Sequence, residues 1–325
     1  MISGLITLLV ATSVTILVCP PVILLLKRQS MVDTATSRSS HIGEVPRGGG
    51  LALLAGITAA LVLVADSWWR QKGIPELCLT AAVFGLIGIA DDLHSLKATV
   101  RLVLQIVVAS SFALAISISS DVVSSVQTAV IVGVVIVTFV NAFNFMDGIN
   151  GISAATATII GTSLAIASYR WDGGIELPAL ALVGSALGFA PFNLANRIFL
   201  GDVGSYLLGS ALVMLAIVGV QHGMPIVAVV LPFTLYLGDV FYTLGRRASR
   251  HEAILEAHRE HVYQRLANER GLGHQRTTVI VSGFTFLLVA AGQSSTPTTI
   301  ALILGAAAVA SYLTLPRLTL VLSER

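Results

Sequence analysis

The sequence predicts an all-α integral membrane protein: a polytopic bundle of about eleven transmembrane helices forming one domain over residues 1–325. Three observations predict it. Hydrophobic residues make up 55% of the chain and charged residues 11%, against about 25% charged in a soluble domain. The apolar residues fall into runs near the roughly 20 that cross a hydrocarbon core, and mean hydropathy is +0.88. The basic residues are sorted to alternate connections, as the topology of a multi-spanning chain requires.

The apolar segments run near 3–26, 49–65, 75–90, 101–118, 124–140, 152–169, 176–192, 204–221, 224–243, 277–292 and 297–315. The first lacks a basic leader and a small-residue cleavage site, so it reads as a retained helix. Several segments are short and rich in Gly and Ala, which suits close helix packing. Pro225 and Pro232 predict a kink in the segment 224–243. None of the runs alternates as barrel strands do, and lipid tolerates only helices or closed barrels. Cys19 and Cys78 lack metal-like or redox-like partners in sequence and read as buried thiols.

Lys and Arg set the orientation. With the N-terminus outside and the C-terminus cytoplasmic, 16 of the 19 basic residues fall on the inner side, leaving Arg70, Lys72 and Arg170 outside. The same choice puts every unusual polar cluster on the cytoplasmic face, in loops 27–48, 91–101, 141–152, 193–205 and 245–276. The outer links are short and chemically plain.

Each cluster has a bland reading and a chemical one. Asp91 and Asp92 end one segment, as solvated terminal acids or as two carboxylates pointing to different tasks. Lys97, Arg101 and Gln105 then repeat every four residues, a cationic stripe that snorkels or holds an interfacial anion. Asn141, Asn144 and Asp147 repeat every three residues before Gly148, with Asn150 following. Capping explains one or two such residues, not four. Asp202 in GDVGS caps the next helix or holds Mg²⁺, and amides at that helix start favour phosphate. Phe199 is placed to stack on a flat ring or to sit in an aromatic belt. His258, Arg259 and His261 belong to a loop that binds phosphate or is a plain basic surface; the zinc-protease spacing is absent. Arg38, His41 and Arg47 flank a Pro-Gly loop whose amides suit an anion. Asp239 is an ion-pair partner of Arg246 and Arg247 or a further site carboxylate.

DDLHSLKATVRLVLQ, NAFNFMDGINGI, IFLGDVGS and HREHVYQRL, in this order, together resemble the polyprenyl-phosphate N-acetylhexosamine-1-phosphate transferases. The RSSH and PRGGG loop and the HREHVYQ form look most like the branch that starts bacterial O-antigen, a lipopolysaccharide component. The resemblance implies transfer of a sugar-1-phosphate from a UDP-N-acetyl sugar (GlcNAc, FucNAc or QuiNAc) to undecaprenyl phosphate, releasing UMP. It implies a multi-pass enzyme of the bacterial inner membrane with its active site facing the cytoplasm, membrane lipid as surroundings, a homodimeric habit and no nucleic-acid partner. It also implies Mg²⁺, with Mn²⁺ as a substitute, held by Asp202, Asp92 and Asp147. Catalytic roles fall to Asp91, Asp92, Asp202, His258 and His261. Substrate binding falls to Arg38, His41, Arg47, Lys97, Arg101, Asn141, Asn144, Asp147, Phe199 and Arg259. A groove beside the kinked segment 224–243 would take the prenyl chain.

Two alternatives stand beside this reading. One is the peptidoglycan branch, the phospho-N-acetylmuramoyl-pentapeptide transferases, which carries a His triplet in place of HREHVYQ. The other is a membrane transporter, which would place ionisable groups near the midplane; here the middles of the segments are nearly bare of charge.

Overall fold

The computed structural model describes residues 2–34, 44–64, 70–119, 126–253 and 258–323. Among the described residues ten helices are long and apolar enough to cross a membrane. They are α1 (Ile2–Arg28), α3 (Ile74–His94), α4 (Ala98–Ser119), α5 (Val126–Phe145), α6 (Ile152–Trp171), α7 (Glu176–Leu194), α8 (Gly201–Gln221), the broken span Ile226–Ser249, α12 (Gly273–Gln293) and α13 (Thr298–Ser323). The shorter apolar helix α2 (Gly50–Val64) completes the eleven segments. The predicted kink is an actual break: α9 (Ile226–Val230) gives way to a 3₁₀ turn at Leu231–Phe233 around Pro232, and α10 (Thr234–Ser249) follows.

Helix α8 is the axis of the bundle, with most of its length buried. It packs on α3 and α5, and α2 also lies against it; α1, α2 and α7 form a second tight group. Small residues permit this. A Cβ on Gly50 would strike the Gly204 backbone, and one on Gly88 would strike the carbonyl of Asp202. A two-stranded antiparallel ribbon, β1 (Val32–Thr34) and β2 (Glu44–Pro46), precedes α2. A short α11 (Val262–Gln264) lies between α10 and α12. The ends of α1, α3, α5, α7 and α10 and the starts of α2, α4, α6, α8 and α12 therefore gather the polar loops at one end of the bundle.

Candidate active site

A cavity of about 330 Å³ opens at that end, lined among others by Asp33, Arg47, Asn144, Asp147, Asn150, Asn193, Phe199, Asp202, Arg259 and His274. Its floor is built by the start of α8. The chain enters α8 through Gly201, whose φ of +74° suits glycine, and a Cβ there would press on Asp92 and on the Gly48 amide. Both oxygens of Asp92 accept from the first turn of α8, Oδ1 from the Asp202 N–H at 3.1 Å and Oδ2 from the Val203 N–H at 3.0 Å. A carboxylate delivered by α3 thus caps α8 in trans and meets its positive dipole end. Of the two readings of Asp202, capping of its own helix is thereby excluded, and two of the helix-start amides expected to favour phosphate serve Asp92 instead.

Arg47 joins the two acids. Its Nε lies 2.8 Å from Asp92 Oδ1 and its Nη2 lies 2.8 Å from Asp202 Oδ2. Burial works against the guanidinium charge, but Asp202 and Asp92 outweigh it and hold the pKa above the ordinary arginine value. The PRGGG loop that carries Arg47 is zipped to the IFLG strand. The Gly48 and Gly49 N–H groups donate to the Phe199 carbonyl, the Gly50 N–H donates to the Leu200 carbonyl, and the Phe199 N–H returns to Pro46. These amides do not wrap an anion; they place Arg47. Arg38 and His41 lie outside the described residues.

Asp202 Oδ1 accepts from Asn144 Nδ2 at 2.8 Å, and that amide also donates to Ser205 Oγ at 2.8 Å. Asp147 accepts from Ser153 Oγ at 2.5 Å. Its carboxyl is pushed up to about 7, by burial first and by the nearby charges of Asp202 and Asp92, with the Ser153 hydrogen bond and Arg47 opposing. Asp91 lies close enough to Asp202 to act on it electrostatically. It is not free for a reacting group. It accepts from Arg101 at 2.9 Å, from the Tyr206 hydroxyl at 3.0 Å and from the Leu96 N–H at 2.9 Å. The adjacent acids do point to different partners, as expected.

The cationic stripe is otherwise employed than expected. Arg101 is paired with Asp91, buried Gln105 accepts from Asn141 at 2.6 Å, and Lys97 is exposed. Asn141 therefore ties α5 to α4, and neither it, Lys97 nor Arg101 lines the pocket. In the last loop Arg259 reaches the pocket while His258 and His261 do not. His261 is buried and lies between the rings of His258 and Tyr263. His258 has its pKa lowered by burial first and then by His261 and Arg247, with Glu260 and Asp239 opposing.

Asp33 and His274 line the pocket without having been singled out in the sequence. Asp33 comes in on the ribbon beside Arg47, and His274 begins α12, where Nδ1 accepts the Asn150 N–H at 3.3 Å. Asn193 braces the same turn, its Oδ1 accepting from the Gly151 N–H at 2.7 Å. No local pattern marks either Asp33 or His274; only the tertiary approach does. The turn is also closed from the other side. The Tyr263 hydroxyl donates to the Phe145 carbonyl at 2.9 Å and stands where a Gly148 Cβ would be. Gly148→Ala should therefore lower turnover by about 30-fold through displacement of Asp147, with the thermal midpoint moving by only a few degrees. Steady-state rates and a melting curve of that variant check this.

The surroundings of Asp202 suit a divalent cation. Asp91, Asp92, Asp147 and Asp202 interact electrostatically, with Arg47 and Arg101 as the ion-pair partners among them. Four carboxylates against two guanidiniums leave a formal excess of two negative charges. The oxygen donors Asp202, Asp147 and Asn144 face one cavity. Among the described residues no group of three or more Asp, Glu, His or Cys side chains is placed to hold a metal ion. Mg²⁺ takes one or two carboxylates and completes its shell with water and substrate phosphate, so Asp202 and Asp147 are the acids in the cavity that would hold it. Asp92, with its oxygens given to α8 and Arg47, is the least suited of the three acids expected as ligands.

Residues 74–220, from α3 to α8, match the family model described as glycosyl transferase family 4. A decaprenyl-phosphate N-acetylglucosaminephosphotransferase of Mycobacterium tuberculosis is 30% identical over 359 residues, covering 94% of this chain and 87% of its own length. The chain belongs to this family, the polyprenyl-phosphate N-acetylhexosamine-1-phosphate transferases. It is an enzyme that transfers phosphate-linked sugar groups. A probable undecaprenyl-phosphate N-acetylglucosaminyl 1-phosphate transferase of Bacillus subtilis is 27% identical and covers 86% of this chain and 82% of its own length. A phospho-N-acetylmuramoyl-pentapeptide-transferase of Streptococcus pneumoniae is also 27% identical but spans 57% of this chain and 62% of its own length. The matched region contains Asn144, Asp147, Phe199 and Asp202, which line the pocket, and Asp91 and Asp92, which stand behind it.

Proposed function

We propose that the enzyme transfers GlcNAc-1-phosphate from UDP-GlcNAc to undecaprenyl phosphate or a similar polyprenyl phosphate, releasing UMP, at the cytoplasmic face of the inner membrane. The product begins a cell-surface glycan such as O-antigen. The observation that carries this reading is the acidic pocket at one end of an apolar bundle, built from five separate loops and bridged by Arg47. A lipid-anchored acceptor and a water-borne donor can meet only at such a boundary. Near-complete coverage by relatives named for N-acetylglucosamine favours GlcNAc over the peptidoglycan substrate.

The break at Leu231–Phe233 supports a place for the prenyl chain. Beside it lies an apolar groove of about 540 Å³, bounded by α5, α8 and the broken span, with almost wholly hydrocarbon walls. The groove and the pocket then divide the acceptor into tail and phosphate.

The chemistry we propose is direct attack. An oxygen of the acceptor phosphate forms a bond to the β-phosphorus of the donor while the bond from that phosphorus to the UMP oxygen breaks. A phosphate monoester with a second pKa near 6 is mostly dianionic at pH 7, so a strong base is barely needed. Asp91, bound to Arg101, has no call to act as one. The obstacle is bringing two anions together. Asp202, Asp147 and Asn144 would hold Mg²⁺, which neutralises phosphate charge when bound. Arg47 and Arg259 add cationic walls, and Phe199 offers a face to the uracil ring.

The deciding experiment is incubation of the full-length protein with UDP-[¹⁴C]GlcNAc, Mg²⁺ and undecaprenyl phosphate. Label should move into the lipid phase, and a panel of UDP-sugars fixes the sugar. UMP released from donor in the absence of acceptor would replace direct attack with a covalent intermediate.

Asp147 supplies a pH test. Its carboxyl, ordinarily near 3.8, is pushed up to about 7 in the fold, so the folded state binds the proton more tightly than the unfolded chain. Its stabilising effect is full at low pH and is lost as pH rises towards 7. In metal-free buffer the thermal midpoint should therefore fall between pH 5 and pH 7.5, and Asp147→Asn should flatten that decline.

A further inference from the structure

Asp239 lies on α10 and is fully buried, yet it does not line the reaction pocket. The sequence left it two roles, ion-pair partner of Arg246 and Arg247 or site carboxylate. The structure gives it neither. Arg247 pairs instead with Glu252 at 3.1 Å and Glu260 at 2.7 Å.

The Asp239 carboxylate is saturated by donors. Oδ1 meets His261 Nδ1 at 3.1 Å, the Val262 N–H at 2.9 Å and the Thr243 hydroxyl at 3.2 Å. Oδ2 meets the Tyr263 N–H at 3.2 Å and the Tyr312 hydroxyl of α13 at 2.7 Å. A carboxylate has about four lone-pair sites, so this one has nothing left for a substrate. Three of its donors belong to the consecutive residues 261–263, the end of the loop that brings Arg259 to the pocket. Tyr263 then reaches on to the Phe145 carbonyl and abuts Gly148, on either side of Asp147. A continuous path of contacts runs from Asp239 to the pocket wall.

The helix has a second face. Leu237 and Phe241, with Phe233 just before α10, repeat every four residues and line the apolar groove. Asp239, Thr243 and Arg247 also repeat every four; Asp239 and Arg247 hold the polar loop through Val262 and Glu260, and Thr243 steadies Asp239. Two residues of offset turn a helix by about 200°, so the two rows lie on nearly opposite sides. One helix thus bounds the groove and anchors the loop.

We propose that Asp239 is a positioning residue for the transfer reaction, holding the loop of residues 258–264 so that α10 keeps Arg259 and the Asp147 turn in fixed register with the apolar groove on its opposite face. The role of the groove rests on the function proposed above; the anchoring of the loop does not.

The test compares wild type, Asp239→Asn and the milder Tyr312→Phe, each as the full chain in lipid nanodiscs. Amide hydrogen exchange is followed by mass spectrometry, with kinetics on UDP-GlcNAc and undecaprenyl phosphate. For Asp239→Asn we expect exchange over residues 261–263 to rise at least about 10-fold while peptides from α3 and α8 stay unchanged. We expect kcat to fall about 100-fold with KM for the donor within about 3-fold. Tyr312→Phe should give a smaller change of the same kind, a kcat loss of about 5-fold. Unchanged exchange at 261–263 overturns the proposal, and so does exchange rising equally across the whole bundle, which marks a merely structural residue. A donor KM raised 100-fold with kcat intact also overturns it. If wild type labels no lipid, the substrate reading fails by itself, and the exchange contrast still decides whether Asp239 anchors the loop.

Discussion

Asp202→Asn should reduce sugar-phosphate transfer on the order of 10³-fold, the scale of losing a principal electrostatic contact to a transferring phosphoryl group, and leave the fold intact. The side chain keeps its shape and can still bond Asn144. What it loses is charge, and that loss acts in opposite directions. The ion pair with Arg47, made at 2.8 Å, weakens. The repulsion from Asp91, Asp92 and Asp147 weakens too. Arg47 is 44% exposed, so water screens its side of the pair and discounts its value. The net change in stability should lie within about 1 kcal/mol of wild type. Crowding of carboxylates is thus a strain that the fold carries for chemistry, and relieving it costs activity alone. Kinetics against Mg²⁺ concentration and a melting curve check this together. Activity above a tenth of wild type, or a shift of many degrees, would sink it.

The helices were legible in the sequence because hydrocarbon imposes a simple rule. A segment must be long, apolar and internally bonded, and each such run can be read alone. Alternation of sides then brings loops distant in sequence to one end without any knowledge of packing. Pro232 marked the break in the same local way. Partner choice was not legible. The pattern of Arg101, Gln105 and Asn141 showed polar groups entering the bilayer, but two helices buried there can satisfy one another, and Gln105 and Asn141 do. Asp239 likewise looked like a partner for the arginines beside it and proved to bind backbone more than twenty residues downstream. His274 and Asp33 stand in no motif and reach the pocket only because α12 and the β1 ribbon begin beside it. Polar residues near a membrane boundary announce a cost. They do not say whether a substrate or a neighbouring helix meets it.

Asp92→Ala should separate these two uses, because here activity and stability should fall together. The side chain is 1% exposed and accepts three hydrogen bonds, two from the start of α8 and one from Arg47. Truncation strands two amides at the positive end of the most buried helix in the bundle. Loss of a helix cap costs about 0.5–2 kcal/mol and a stranded buried donor about 1–3. A total near 3 kcal/mol is therefore expected, roughly 5–10 °C in thermal midpoint. Transfer should fall about 100-fold or more, since the residue that leans on Asp92 is Asp202 itself and a displaced reacting group is costly. Asp92→Asn retains one acceptor but turns an amide N–H₂ toward a backbone N–H, so it should recover little. A double-mutant cycle with Arg47→Ala resolves the rest. If Asp92 acts through α8, removing Arg47 first should leave most of the stability loss in place, whereas a residue serving only as the partner of Arg47 would lose nothing further. A melting midpoint unmoved by Asp92→Ala would show that α8 does not depend on its borrowed cap. Asp92 would then have to be counted with the groups that face the substrate, and Asp202 would no longer stand apart as the carboxylate whose loss is felt by chemistry alone.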